Sequence, residues 1–127
     1  MSFRVLDPGG LTLFEDLGRA GYAHLGVSTS GVFDRQSLRA ANTLVGNDPG
    51  CLGLEVLGGG FRAIATADHL VAVTGATGPL SVDGTPVNSG RAVLVRRGQV
   101  FRCGSPVAGL RWTVAVAWLR GATGRWL

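Results

Sequence analysis

Between Glu15 and Asp48 the sequence strings together residue types that do chemistry: Asp16, Arg19, Tyr22, His24, Ser28, Ser30 and Asp34, on a stretch punctuated by Gly18, Gly21, Gly26 and Gly31. Asp, His and Ser are the members of an acyl-transfer triad, but a triad is defined by geometry, and neither serine sits in the G-x-S-x-G turn that exposes a nucleophile. Ser30 or Asp34 serves equally well as a helix cap, and Asp16 as an acceptor for loop amides. Two readings of the segment stand side by side. In one, Asp16, Arg19, Tyr22 and His24 line a binding loop on a rigid scaffold, with Asp34 at the start of a helix whose N-terminus attracts anions. In the other, an Asp16–Arg19 pair braces a long loop and the glycines supply backbone geometry.

Further along, Glu55 alternates with Leu54 and Val56, which makes it either an inward carboxylate at the same site or the solvent face of an edge strand. Val73-Thr74-Gly75-Ala76 ends a strand in small residues, the pattern of a β-bulge or of close approach by a ligand or another backbone. His24 and His69 lack partners at metal-ligand spacing, so no metal site is expected.

The elements that must position these groups are mostly strands. Short apolar runs bounded by turn residues recur along the 127 residues, the spacing of a sandwich or barrel. Strands are predicted at 3–6, 11–17, 53–57, 61–65, 69–74, 80–82, 85–87, 92–96, 100–103 and 110–117. Val82-Asp83-Gly84-Thr85 reads as a type I′ hairpin, and Arg97-Gly98 as a second hairpin. Leu38, Ala41, Leu44 and Val45 share one helical face, which predicts a single short helix near residues 34–46. Asp34 is its N-cap, a Phe33–Leu38 contact its staple, and Gly46 or Asn47 its end.

Composition removes several function classes. The 12 basic residues are all Arg, so the chain supplies no Walker lysine, no Schiff-base amine and no lysine to carry biotin. Residues 1–90 hold five Arg and all eight acids, for a charge of −3, whereas residues 91–127 hold seven Arg and no acid, for +7. These arginines are scattered over strand-like segments without a nucleic-acid-binding motif, so no nucleic-acid partner is expected. No apolar run is long enough to span a bilayer and no signal sequence precedes the first strand, which points to a cytoplasmic protein in which Cys51 and Cys103 are buried free thiols.

The run DLGRAGYAHLGVSTSGVFDRQSLRAANTLVGND, followed by GLEVLGGG and VAVTGA, resembles the amino-terminal part of the biotin-dependent carboxyltransferase-like family, which includes allophanate hydrolase subunit 2 and the C component of 5-oxoprolinase. Asp16, Gly18, Arg19, Gly21, Tyr22, Gly26, Val27, Ser30, Gly31, Asp34, Ala41, Asn42, Leu44, Val45, Gly46, Asn47, Leu54 and Glu55 meet the family pattern in order. Ser28 stands where the family carries a proline. The resemblance implies a mainly β, cyclophilin-like barrel, closed or open, over residues 1–117. The tail at 118–127 diverges and the family's second half is absent, as expected of a truncated or frame-slipped member. On that expectation Trp112, Trp118 and Trp126 lie exposed.

By resemblance the chain is a subunit of an ATP-dependent 5-oxoprolinase-type amide hydrolase, acting on 5-oxoproline with a subunit 1 homologue (similar to the B component of 5-oxoprolinase) and a third subunit. ATP and nucleotide binding belong to the assembly. The alternatives are a component of a urea carboxylase or allophanate-type carboxyltransferase, with biotin reaching it only through a partner, and a non-catalytic module like the antagonist of a kinase inhibitor. The candidate site places Asp16, His24, Asp34 and Glu55 in catalytic roles. Arg19, Tyr22, Ser30, Asn42 and Thr74 contact a small amide or carboxylate substrate. Arg19 offers a planar fork to a carboxylate, one acid acts as base or orients water, and the helix start favours a developing anion.

Overall fold

The computed structural model describes residues 3–15, 35–51 and 53–118. Ten strands and one helix follow one another as β1 (Phe3–Pro8), β2 (Leu11–Glu15), α1 (Arg35–Leu44), β3 (Gly53–Leu57), β4 (Phe61–Ala65), β5 (His69–Thr74), β6 (Leu80–Val82), β7 (Thr85–Val87), β8 (Val93–Val95), β9 (Val100–Cys103) and β10 (Arg111–Trp118). They form two five-stranded sheets, ordered β1-β4-β9-β6-β7 and β2-β3-β10-β5-β8, with antiparallel pairing throughout. Among the described residues the sheets do not close on themselves, so the open form of the expected barrel is the one observed.

Alternation makes the core. β4 buries Phe61, Ala63 and Ala65 on one face, β9 buries Phe101 and Cys103, and β6 buries Leu80 and Val82. From the second sheet Leu54, Val56, Val71, Val73, Val95, Trp112 and Val114 pack against them. The other face of the second sheet carries Ala72, Ala115 and Ala117, small enough for α1 to lie close through Ala41 and Val45. β5 and β10 are therefore covered on both sides, by the facing sheet and by the helix.

Trp112 is fully buried, and its indole Nε1 donates to the Gly104 carbonyl at 2.9 Å. The expectation that it lies exposed is overturned: strand alternation turns it into the core between the sheets. Trp118 pairs with His69 at the end of β10, and Trp126 falls outside the described residues. His69 is a core histidine, its Nδ1 3.1 Å from the Ala117 carbonyl oxygen and its ring 5.2 Å from that of Phe3.

The helix ends as its sequence dictates. Asn47 N–H donates to Asn42 O at 2.9 Å and Gly46 N–H to Thr43 O at 3.1 Å, with Gly46 at φ 80°, the bonding of a Schellman cap. Its buried face is Leu38, Ala41, Asn42 and Val45, whereas Leu44 is largely exposed, so Asn42 occupies the stripe assigned to Leu44. The expected cap at Asp34 and the Phe33 staple lie outside the described residues. Asp83 and Gly84, at φ 48° and 81°, form the predicted hairpin turn between β6 and β7. The turn at Arg97-Gly98 is real, with Gln99 N–H bonding Arg96 O at 2.9 Å, but it is no hairpin: β8 and β9 belong to different sheets, and the turn carries the chain between them. No helix among the described residues is long and apolar enough to cross a membrane.

Two consequences are measurable. Trp112→Ala removes the largest buried side chain and its hydrogen bond, and lowers unfolding free energy by about 3–5 kcal/mol in denaturant titrations. Cys103 is buried, and desolvation raises its thiol pKa from 9.0 to about 12, whereas Cys51 is partly exposed. A disulfide reagent at neutral pH therefore modifies Cys51 in the native protein and Cys103 only on unfolding. Because the neutral thiol is favoured in the fold, its contribution to stability is complete below pH 9.0 and declines as pH rises towards about 12.

Candidate functional site

Cross-strand register builds the site on the helix-covered face of the second sheet. Glu55 on β3 lies opposite Thr113 on β10, and Thr113 lies opposite Thr74 on β5, which sets three polar side chains in one row across the middle of the sheet. Both Glu55, at 3% exposure, and Thr113 are buried. Arg111, two residues before Thr113 and on the same face, brings its Nε to 3.1 Å from Glu55 Oε1. The Nε–H bond does not point along this line, so the contact is an ion pair rather than an aligned hydrogen bond. Glu55 is thus an inward carboxylate, and the edge-strand reading fails because β3 lies between β2 and β10.

The first turn of α1 meets the Thr74 end of this row. Thr74 Oγ1 donates to the Ser37 carbonyl at 2.6 Å. At Gly75, φ is 91°, and a Cβ would lie 3.0 Å from the Arg111 carbonyl oxygen and 3.3 Å from Thr113 Oγ1. The small-residue ending of β5 therefore reflects close approach of backbone to backbone. Beside it opens a groove of about 370 Å³, lined by Thr74, Gly75, Thr77, Ser89 and Gly109 among others. Thr74 is the residue that the row and the groove share, whereas Glu55, Arg111 and Thr113 do not line the groove; a small polar molecule in the groove would meet the row at its Thr74 end.

Of the residues singled out from sequence, Glu55 and Thr74 come together here. Asn42 is fully buried behind them: its Nδ2 donates to the carbonyls of Pro49 and Cys51 at 3.2 and 2.9 Å, and its Oδ1 accepts from Asn47 Nδ2 at 3.2 Å. Asn47 Nδ2 also donates to Val116 O at 3.1 Å, so the Asn-x-x-x-x-Asn pair pins the end of α1 to the returning turn and to β10. Asp16, Arg19, Tyr22, His24, Ser30 and Asp34 lie outside the described residues. Among the described residues no group of three or more His, Cys, Asp or Glu side chains could hold a metal ion.

Arg111 and Thr113 were not singled out from sequence. The signal is present in Arg111-Trp112-Thr113-Val114-Ala115-Val116-Ala117, where every second residue is a large apolar group and the others are polar or small. That alternation marks a strand with two different covered faces, not a solvent-facing edge.

Residues 25–120 match the pattern of the carboxyltransferase domain, subdomain A and B. The chain is 35% identical over 105 residues to urea amidolyase of Saccharomyces cerevisiae, covering 82% of this chain and 6% of that one. It is 33% identical over 114 residues to the C component of 5-oxoprolinase from Escherichia coli, covering 90% and 37% respectively. It also resembles the crystal structure of K. lactis urea amidolyase, with a TM-score of 0.79 at 31% identity over 91% of this chain and 7% of that one. The chain therefore spans well under half the length of these relatives.

A double-mutant cycle measures the ion pair. Glu55→Gln costs about 2–3 kcal/mol, less than a fully enclosed pair because the Arg111 side chain keeps 22% of its exposure. Arg111→Met costs more, since it removes the cation beside the better-buried carboxylate. The double variant recovers part of the loss in denaturant titrations, whereas strict additivity would show that the two groups do not interact.

Proposed function

Since the chain belongs to the carboxyltransferase family of subdomains A and B, we propose that it is the C-type component of a cytoplasmic 5-oxoprolinase assembly. In this reading it acts on 5-oxoproline with a subunit 1 homologue and a third subunit, and ATP is hydrolysed by the assembly. The reading is carried by the buried Glu55–Arg111 pair set beside Thr113 and Thr74 at the start of α1. A cyclic amide with a carboxylate needs a cation for its acid, a donor for its carbonyl and a carboxylate to accept a proton or orient water, and the Arg111 guanidinium, the Thr113 hydroxyl and the Glu55 carboxylate are of these types. The likeness to the 5-oxoprolinase C component over 90% of the chain supports the same reading.

In this reading Asp16, His24 and Asp34 keep the catalytic roles, and Arg19, Tyr22 and Ser30 the substrate contacts, that the family resemblance implies for them. These 127 residues contain no lysine, so phosphate contacts of the P-loop kind would come from outside them. The 35% identity to urea amidolyase favours a second reading, a carboxyltransferase component that receives a carboxyl group from biotin. Without lysine this chain does not itself carry biotin, which a partner would then bring.

Mixing the purified chain with its partner subunits is expected to give ATP hydrolysis dependent on 5-oxoproline. Glu55→Gln lowers kcat about 100-fold or more while association with the partners persists. Turnover that instead requires bicarbonate and a biotinylated partner selects the second reading. Firm association without turnover of either substrate would sink both.

A further inference from the structure

The outer face of the first sheet, remote from the site above, places two arginines directly opposite each other. Arg62 on β4 pairs with Arg102 on β9, Arg102 also lies opposite Ser81 on β6, and Arg62 lies opposite Asp7 on β1. Both arginines line a concavity of about 670 Å³. Like charges facing each other across strands destabilise a sheet unless an anion lies between them. Among the described residues neither guanidinium has a carboxylate in ion-pair contact; Asp7, the acid of this row, accepts the Gly9 N–H at 2.9 Å through Oδ1.

The concavity is held open by backbone bonds. Gly60 N–H donates to Cys103 O at 3.1 Å, Gly104 N–H to Pro79 O at 2.8 Å, and the buried Trp112 indole holds the Gly104 carbonyl at 2.9 Å. Pro79 and Pro86 add an apolar wall. The hollow is therefore bounded by bonded backbone, carries two guanidinium groups against one carboxylate on its lining, and is of the size that takes a small molecule rather than a single ion.

We propose that this concavity is a binding site for a small phosphoryl-bearing molecule. Opposed side chains on neighbouring strands stand roughly 5 Å apart at their Cβ atoms, so two guanidinium forks flank one tetrahedral group. A phosphoryl group has enough terminal oxygens to accept from both forks and from the Ser81 hydroxyl, whereas a single carboxylate satisfies one fork. The organic remainder of the ligand packs on the proline wall. The site lies on the opposite sheet from Glu55 and does not rest on the proposed amide chemistry.

The test is calorimetric titration of the full chain at fixed ionic strength with glycerol phosphate, inorganic phosphate, succinate and chloride. Saturable binding of glycerol phosphate is expected, tighter than inorganic phosphate, with affinity falling about tenfold or more in Arg62→Gln and in Arg102→Gln. Arg102→Lys keeps the charge but loses the fork, and is expected to bind more weakly than the unaltered chain. Equal affinities in the unaltered chain and both glutamine variants, with unchanged circular dichroism, would overturn the proposal. So would absence of saturable phosphate binding. Preference for succinate would replace the phosphoryl group with a dicarboxylate and equally refute the assignment.

Discussion

A single strand, β10, has to satisfy two unlike neighbours at once, and the rest of the molecule is arranged around that demand. Its even-numbered residues Trp112 and Val114 fill the space between the sheets, while Thr113, Ala115 and Ala117 face the helix. A slip of one residue would put an indole under α1 and an arginine into the core. Both outcomes are prohibitive, so the register is strongly specified. Because β3 and β5 pair on either side of β10, that one register also decides which residues share the row Glu55–Thr113–Thr74. Packing and site geometry are thus the same fact seen from two sides of the sheet.

The buried carboxylate is tolerable only because of this arrangement. An isolated ionised Glu at such depth would be strongly disfavoured, and Arg111 on the adjacent strand supplies the compensating charge. Arg111 comes from the acid-free final third of the chain, and Glu55 from its acid-containing part. The uneven charge along the sequence is therefore partly undone in space, at one pair. Arg62 and Arg102 show the contrary case, since they come from the two parts of the chain and meet as like charges.

Much of the element pattern was readable from local chemistry. Six strands coincide at both ends with the runs read from apolar alternation, namely 53–57, 61–65, 69–74, 80–82, 85–87 and 100–103. The Asp83-Gly84 turn follows from two positive φ angles that those residues accept. Sheet membership was not readable, because turn chemistry says that a chain reverses and not which strand it then joins; Arg97-Gly98 is the example. Leu44 and Asn42 exchanged roles for a similar reason: hydropathy ranks leucine as core, but Asn42 finds carbonyls of the returning turn, a tertiary opportunity that helical periodicity does not encode. Glu55 and Thr74 were legible as candidates, whereas their grouping required the strand register through β10.

Only the β2–β3 and β6–β7 connections join neighbours within one sheet; every other step between successive strands passes to the opposite sheet. β9 and β10, the last two strands among the described residues, sit at the centre of their respective sheets. While residues 3–99 leave the ribosome they therefore hold edge strands and flanking strands with no middle to join, and native pairing waits for residues 100–118 to emerge. Pairing is dominated by contacts distant along the chain, which places this topology among the slower folders and leaves its strand edges open until the two central strands arrive.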